Sequence, residues 1–420
     1  MVEWALPAST SPAGWHVIVG DNGSGKSSFL RSIALTLIGP KDAAGLRLSW
    51  DDWLRKEEQR GSIIMTLERN PRIDKFTKKG AVPQTSRHTL GVVFVTSQPP
   101  AASGVLLRKV SFRDNPDPNR HVWGDGGGWF CAAYGPFRRL TGGDVEFERL
   151  SLKLPRLARF LSIFDERVAL TDCLEWLQDL KFQQLEARSK QHHAQIGFLE
   201  QLFHFINQPD FLPFHARLTE ISSKAVVFRD GNDKDVRIED LSDGYRSILS
   251  LTFELIRQLS RVYGPEAVFD KDDPTKVACE GVALIDEIDV HLHPTWQRRI
   301  GLWFRKHFPN MQFLVTTHSP LICQAADHGT VFRLPRPGVD ETGGMVVGTE
   351  LQRLIYGNVL DAYGTEVFGP DVTRSDQSKA MSSRLAELNV KEIRSGLTAE
   401  EKKERDKLRA AMPTEALSLG

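Results

Sequence analysis

Four polar stretches in this 420-residue chain carry residue types that handle phosphate. The first is Gly20-Asp21-Asn22-Gly23-Ser24-Gly25-Lys26-Ser27-Ser28. Its glycines let backbone N–H groups turn inward around an anion, and Lys26 can reach β- and γ-phosphates while Ser27 holds Mg²⁺. The second is Asp286-Glu287, closing the apolar run Gly281 to Ile285. A carboxylate at Asp286 suits the water shell of Mg²⁺, and Glu287 can act as general base on a water. The third is His318, placed to touch a γ-phosphate at the end of the run Gln312 to Val315. The fourth is Leu241-Ser242-Asp243-Gly244-Tyr245-Arg246-Ser247, where a serine, a glycine and a helix start make a second anion site. Each has a bland counterpart: a chance glycine turn, a solvated strand end, a structural histidine, an ordinary N-capped helix.

The elements needed to position these groups are legible. Trp15 to Val19 reads as a buried strand leading into the glycine loop, and Phe29, Leu30, Ile33, Ala34 and Leu37 give the following helix one apolar face. Strand, glycine loop and helix together form the setting a phosphate-binding loop requires. Ser62 to Leu67, Leu90 to Thr96, Val105 to Phe112 and Trp129 to Tyr134 read as further strands, with a scrap at Trp4 to Leu6. From about 150 to 222 the pattern is helical: Leu174, Leu177, Leu180 and Phe182 recur near helical spacing, as do Ile196, Leu199, Leu202 and Phe203. Val226 to Phe228 and Val236 to Ile238 flank a hairpin turn. The stretch after Ser242 predicts a long amphipathic helix through Leu249, Phe253, Ile256 and Leu259. A helix runs from Pro294 to about Phe308, and a last β pair spans 330 to 349. Thr398-Ala399-Glu400-Glu401 predicts a capping box opening a helix stopped by Pro413.

Composition narrows the class. Lys+Arg and Asp+Glu both number 54, so no global basic field announces nucleic acid, and any such site is a local patch. Cys131, Cys173, Cys279 and Cys323 lack metal-like spacing and read as buried thiols of a reducing compartment. Apolar runs fall short of a membrane span, and no secretory signal is visible, so the expected location is cytoplasmic.

One phosphate cradle suffices for one nucleotide. If the Ser242–Gly244 site faces the γ-phosphate bound by a second copy, ATP holds a dimer together. The four motifs in order resemble the ABC-type ATPases, in the SMC/RecF/OLD-like branch rather than the transporter subunits. They look most like small bacterial AAA-family ATPases of anti-phage defence loci, such as Septu-type ATPase subunits. The resemblance covers roughly residues 15 to 350. It implies an α/β fold, a P-loop NTPase of ABC-ATPase type with a mixed central sheet, an antiparallel β subdomain and a helical lobe. The expected division is 1–149 for the phosphate loop and antiparallel β part, 150–222 for the helical lobe, 223–350 for the second part of the head and 351–420 for a helical tail.

By resemblance, Gly20, Asn22, Gly23, Ser24, Gly25, Lys26, Ser27 and Ser28 bind ATP, with Ser242 and Gly244 acting in trans. Ser27 and Asp286 hold Mg²⁺, and Glu287, His318 and Lys26 are catalytic. Asp289 to Pro294 takes the D-loop position, where His291 and His293 are read as structural or subunit contacts ahead of metal ligands. The implied function is an ATPase head that hydrolyses slowly and dimerises by sandwiching ATP. It would gate a nucleic-acid-directed activity, DNA ahead of RNA, in phage defence or DNA repair with a separately encoded nuclease and no membrane. The alternative is an ATP-binding scaffold with a truncated, poorly active head.

Three departures accompany the resemblance. The family's adenine-holding strand before residue 15 is nearly absent, which raises the expectation of a shortened or fragmentary chain. Tyr134-Gly135-Pro136-Phe137-Arg138 stands where a Mg²⁺-sensing glutamine is usual, leaving Arg138 to touch phosphate or a partner. No Glu plus Asp-x-Asp cluster of an appended nuclease follows residue 350.

Overall fold

A computed structural model describes the chain apart from residues 1, 72–73, 75–85, 98–103, 113–115, 125–128, 141, 143, 145–146, 148–149, 151–152, 171, 187–189, 364, 366, 368–375 and 412–420 and the side chains of 186–196 and 359–360. Pro413 and the Ile196 side chain therefore lie outside the described part.

The organising strand is β1 (Gly14–Val19), buried along almost its whole length. Side chains alternate across a strand. Trp15, Val17 and Val19 accordingly enter one hydrophobic core and Ile18 the other. Parallel strands covered on both faces read as continuous apolar runs, and β9 (Gly281–Ile285) and β10 (Met311–Thr316) follow the same rule. With β5 (Cys131–Tyr134), β11 (Gly329–Arg333) and β12 (Gly344–Met345) they form a six-stranded sheet, ordered β12-β11-β1-β10-β9-β5. Only β12 runs antiparallel, so the sheet is mixed.

Helix α1 (Lys26–Ile38) covers one face of this sheet. A three-stranded antiparallel sheet of β2 (Arg60–Glu68), β3 (Arg87–Ser97) and β4 (Gly104–Lys109) packs into the same core. On β2 partly buried and exposed residues alternate strictly, as a half-covered strand requires. The other core joins the sheet to the lobe helices α2 (Asp172–Glu186) and α3 (Lys190–Ile206), and to α4 (Asp243–Tyr263) and α5 (Pro294–His307). The expected combination of mixed central sheet, antiparallel sheet and helical lobe is present.

Four local expectations change. Trp4 to Leu6 forms no strand; Trp4 instead sets its ring edge-on to His16, 6.2 Å between centroids. The helical stretch to 222 ends in a strand, β6 (Arg217–Ile221), which pairs antiparallel with β7 (Val226–Arg229). β7 pairs in turn with β8 (Asp235–Arg237), the predicted hairpin, shortened because Ile238 opens a 3-10 turn. Leu174, Leu177 and Leu180 are buried as expected, but Phe182 is 49% exposed. Helix α4 forms through Leu249, Phe253, Ile256 and Leu259 as expected, and its middle is buried all round. Every residue from Ser247 to Leu259 is buried, including Glu254, Arg257 and Gln258. Those three survive burial by bonding to one another: Arg257 Nε donates to Glu254 at 2.7 Å and Gln258 Nε2 to Glu254 at 2.6 Å. Arg257 also reaches Asp172 on α2 at 3.2 Å, tying α4 to the lobe.

Near the C-terminus α6 (Gly348–Tyr356) is followed by a helical pair, α7 (Asp376–Ser395) and α8 (Ala399–Ala411). The capping box forms reciprocally: Glu401 N–H donates to Thr398 Oγ1 at 3.2 Å, and Thr398 N–H to Glu401 Oε2 at 3.0 Å. The four cysteines are buried free thiols. No described helix is long and apolar enough to cross a membrane.

Candidate functional site

Register brings the motifs to one edge. Ile18 pairs with Thr316, and Val315 with Ile285, so β1, β10 and β9 end level. The residues immediately beyond those ends are Gly20, Thr317-His318 and Asp286-Glu287. Ligand sites of open α/β sheets lie at this carboxyl edge.

In the loop, Gly23 and Gly25 have φ of 80° and 90°, left-handed values that glycine adopts without steric cost. Gly25 is also the N-cap of α1 and supplies no side-chain cap, so the first-turn N–H groups, which include those of Ser27 and Ser28, keep their anion-binding character. Asn22 is exposed at the tip. Ser24 donates its N–H to Asp21 O at 3.1 Å, while its buried hydroxyl has no hydrogen-bond partner. Lys26 is buried, and its Nζ donates to Gly20 O at 2.8 Å and Asp21 O at 3.1 Å, closing the loop on itself. Burial lowers the Lys26 pKa; Glu287, Asp286, Asp21 and Asp289 oppose that shift. The lysine therefore lies within electrostatic reach of both carboxylates.

Asp286 is fully buried. Its Oδ1 accepts a hydrogen bond from the Thr316 hydroxyl, and its Oδ2 has no partner. The same Thr316 oxygen accepts the Glu287 N–H at 2.7 Å. Glu287 has φ 45°, an uncommon left-handed conformation for a residue with a side chain. One hydroxyl from β10 thus holds both acidic residues that follow β9. Beside it, Thr317 Oγ1 donates to Asp289 Oδ1 at 2.5 Å, and Ser319 N–H donates to Thr317 Oγ1 at 2.9 Å. His318 stands between these two buried residues with its imidazole exposed.

Ser242 sits at the N-cap of α4, yet its side chain makes no capping bond, and it is exposed. Gly244 packs so closely on the turn after Asp289 that a Cβ would lie 2.8 Å from the His291 carbonyl oxygen. Tyr245 fixes the same region, with its hydroxyl donating to Pro213 O at 3.0 Å and its ring 5.0 Å from Trp296. His293 accepts from Thr295 N–H as the N-cap of α5. Among the described residues no group of three or more His, Cys, Asp or Glu could hold a metal by itself.

Arg138 differs from its sequence expectation. Its guanidinium is buried against backbone: Nη1 donates to Gly135 O and Asp286 O, both at 2.9 Å, and Nη2 to Glu287 O at 3.2 Å. Sequence reasoning also gave no role to Thr316. The available signal was a hydroxyl closing an apolar strand, Gln312 to Val315, in the same manner that Asp286 closes its own.

Comparison with known proteins adds relatives. The family described as "AAA domain, putative AbiEii toxin, Type IV TA system" matches residues 150–324, less than half of the chain. A Bacillus mycoides (strain KBAB4) "Septu protein PtuA" is 27% identical over 330 residues, 79% of this chain and 37% of that protein. An Escherichia coli "Retron Ec83 probable ATPase" is 36% identical over 124 residues, 30% of this chain and 22% of that protein. The chain spans well under two thirds of the length of these relatives. Among solved structures, an Smc head bound to the C-winged helix domain of ScpA is 16% identical, with 80% of this chain and 90% of that chain covered and a TM-score of 0.41. The chain is thus similar in sequence to Septu and retron ATPase proteins over part of their length.

Proposed function

We propose that this chain is an ATPase head that binds ATP with Mg²⁺, pairs with a second copy across two nucleotides, and hydrolyses slowly. The observation that carries the reading is the level ending of β1, β10 and β9, which gathers the glycine loop, His318 and Asp286-Glu287 at one edge. The residues fit the metal. Asp286 Oδ2 is a buried carboxylate oxygen with no donor, an arrangement that is costly without a cation nearby. Ser27 and Asp286 would hold Mg²⁺, whose charge offsets that of the phosphates.

The chain's own residues divide the remaining work. Backbone N–H groups from Gly20 to Ser28, with the Asn22 and Ser24 side chains at the loop, embrace the phosphates, and Lys26 exchanges its loop carbonyls for phosphate oxygens. Glu287, held by Thr316, takes a proton from the attacking water. His318 steadies the transferred group. Ser242 and Gly244 present the N-terminus of α4, with its uncapped hydroxyl, to the nucleotide of a second copy. Hydrolysis then opens the pair, so ATP acts as a gate. The Septu and retron likeness supports a defence setting; within it DNA ahead of RNA is our reading of the sensed ligand, and a separate nuclease our reading of the controlled partner.

The test is ATP hydrolysis by the purified chain with and without linear duplex DNA. We expect slow turnover, stimulated by DNA and lost in Glu287→Gln, with Glu287→Gln trapped as a dimer in Mg-ATP. Lys26→Ala should abolish nucleotide binding; unchanged binding would overturn the assignment. Turnover unmoved by DNA would move the trigger to a partner protein.

A further inference from the structure

Arg138 joins three segments that are far apart in sequence. The residue is 3% exposed. Three backbone carbonyls accept from it: Gly135 where β5 ends, and Asp286 and Glu287 in the turn after β9. Its Nε donates to Ser247 Oγ on α4 at 3.1 Å. The main chain of Arg138 is gripped as well, because Ser250 Oγ on α4 donates to Arg138 O at 2.9 Å. Both hydroxyls lie in the first turns of the one continuous helix that Ser242 caps and that carries Gly244.

We infer that Arg138 is a positioning residue that transmits the position of α4 to the Glu287 turn, so that docking of a second copy on Ser242 and Gly244 sets the general base. This rests on the reading of Glu287 as base and of the α4 N-terminus as the face a second copy meets. A helix moves as a rod when its end is loaded, and Ser247 and Ser250 move with it. Arg138 is the side chain bonded both to that rod and to the Asp286 and Glu287 carbonyls. Glu287 needs such a hold. Its left-handed backbone is pinned at its N–H by Thr316 and at its C=O by Arg138. A planar guanidinium can serve carbonyls on two turns and a hydroxyl at fixed angles; an ammonium is a point charge and cannot. Burial pushes the Arg138 pKa down to about 10, against the pull of Asp286, Asp289 and Glu287, so the group stays charged at neutral pH.

The experiment measures ATP turnover per chain against protein concentration, beside nucleotide affinity and ATP-driven pairing, in the full chain. In the native protein turnover per chain should rise as pairs form. Ser247→Ala/Ser250→Ala keeps the guanidinium on the Glu287 turn and severs its link to α4. It should bind ATP and pair, yet its turnover should stay flat with concentration. Arg138→Lys should lower kcat roughly 10²-fold, the cost of a misplaced catalytic group, with KM changed by no more than about two-fold, as expected when the phosphate contacts are intact. Should Arg138→Lys fail to fold, the serine pair decides. A serine variant whose turnover still climbs with concentration overturns the inference and leaves the ATPase reading standing. A native chain that neither pairs nor turns over ATP removes that reading, and the inference with it.

Discussion

The turn after β9 and the α7–α8 pair are both built from polar contacts, but only the first is buried. At the turn, Asp286, Thr316, Thr317 and Arg138 are shielded from water, and Thr316 Oγ1, Thr317 Oγ1 and Arg138 Nη1 each serve two partners. On the helical pair, Arg384 meets Glu404 at 3.0 Å and Lys391 meets Glu401 in contact with solvent, and Arg405 meets Glu392 half-buried, around only two buried leucines, Leu385 and Leu388. Contact chemistry is similar; burial is not. A broken contact inside leaves an orphaned group that water cannot reach, and one outside is replaced by water and salt. The proposed catalytic residues lie where breakage is expensive, because geometry there is held tightly.

The sharpest way to break that comparison is Arg257→Met. Arg257 and Glu254 are 4% and 5% exposed in their side chains, and removing one partner of a buried pair costs about 3–5 kcal/mol. Urea unfolding should record a loss of that size, with much of it recovered in Arg257→Met/Glu254→Gln. A loss below about 1 kcal/mol, the range of exposed pairs, would erase the distinction. Next comes Thr316→Val, which orphans the Glu287 N–H and leaves Asp286 Oδ1 without its donor. Stability should fall by about 1–3 kcal/mol for each group left unsatisfied. Turnover should drop roughly 10²-fold if the carboxylates shift by about an ångström. Thr316→Ser keeps the hydroxyl and should recover most of both; equal damage in the two variants would assign the effect to packing.

The parts of this site that are local in sequence were legible. Gly23, Gly25 and Lys26 announce a loop because glycine spacing is itself the cause of the geometry. β9 and β10 announce themselves because a strand covered on both faces must be apolar throughout. Thr316 showed only as a hydroxyl closing a strand; its role was hidden because its two partners lie 29 and 30 residues away, and no periodicity encodes a bond between neighbouring strands. Arg138 was misread for the same reason at longer range: a charged residue after a strand suggests a ligand, and only the fold shows backbone carbonyls 148 and 149 residues away surrounding it. β6 was missed because five residues after a proline-broken helix carry too little alternation, and its pairing with β7 contains a register shift. The amphipathic reading placed α4 but could not show that Glu254 and Arg257 are buried, since hydropathy assigns charge to the surface and cannot see two charges satisfying each other.

The smallest effect belongs to the helical pair, and its pH dependence isolates it from the core. The Lys391 hydrogen bond, then the Thr398 N–H, hold Glu401 well below the usual carboxylate range, at about 2 against an ordinary 4.5. A carboxylate with a depressed folded-state pKa stabilises the structure above its unfolded pKa. That contribution declines as pH falls through the window from 4.5 to about 2. Protection factors on α7 and α8 in the full chain, corrected for the intrinsic exchange rate at each pH, should therefore fall across that window while those of β1 and β10 hold. Because Lys391 is exposed and Glu401 is only partly covered, added salt should mimic much of the change near pH 7, and Glu401→Gln should remove most of the pH response in α8. The Thr398 hydroxyl still caps Glu401 N–H in that variant, so α8 itself should persist. Protection in α8 that ignores both salt and Glu401→Gln would mean the pair is held by its leucines alone, and the surface network would be decoration on an apolar contact.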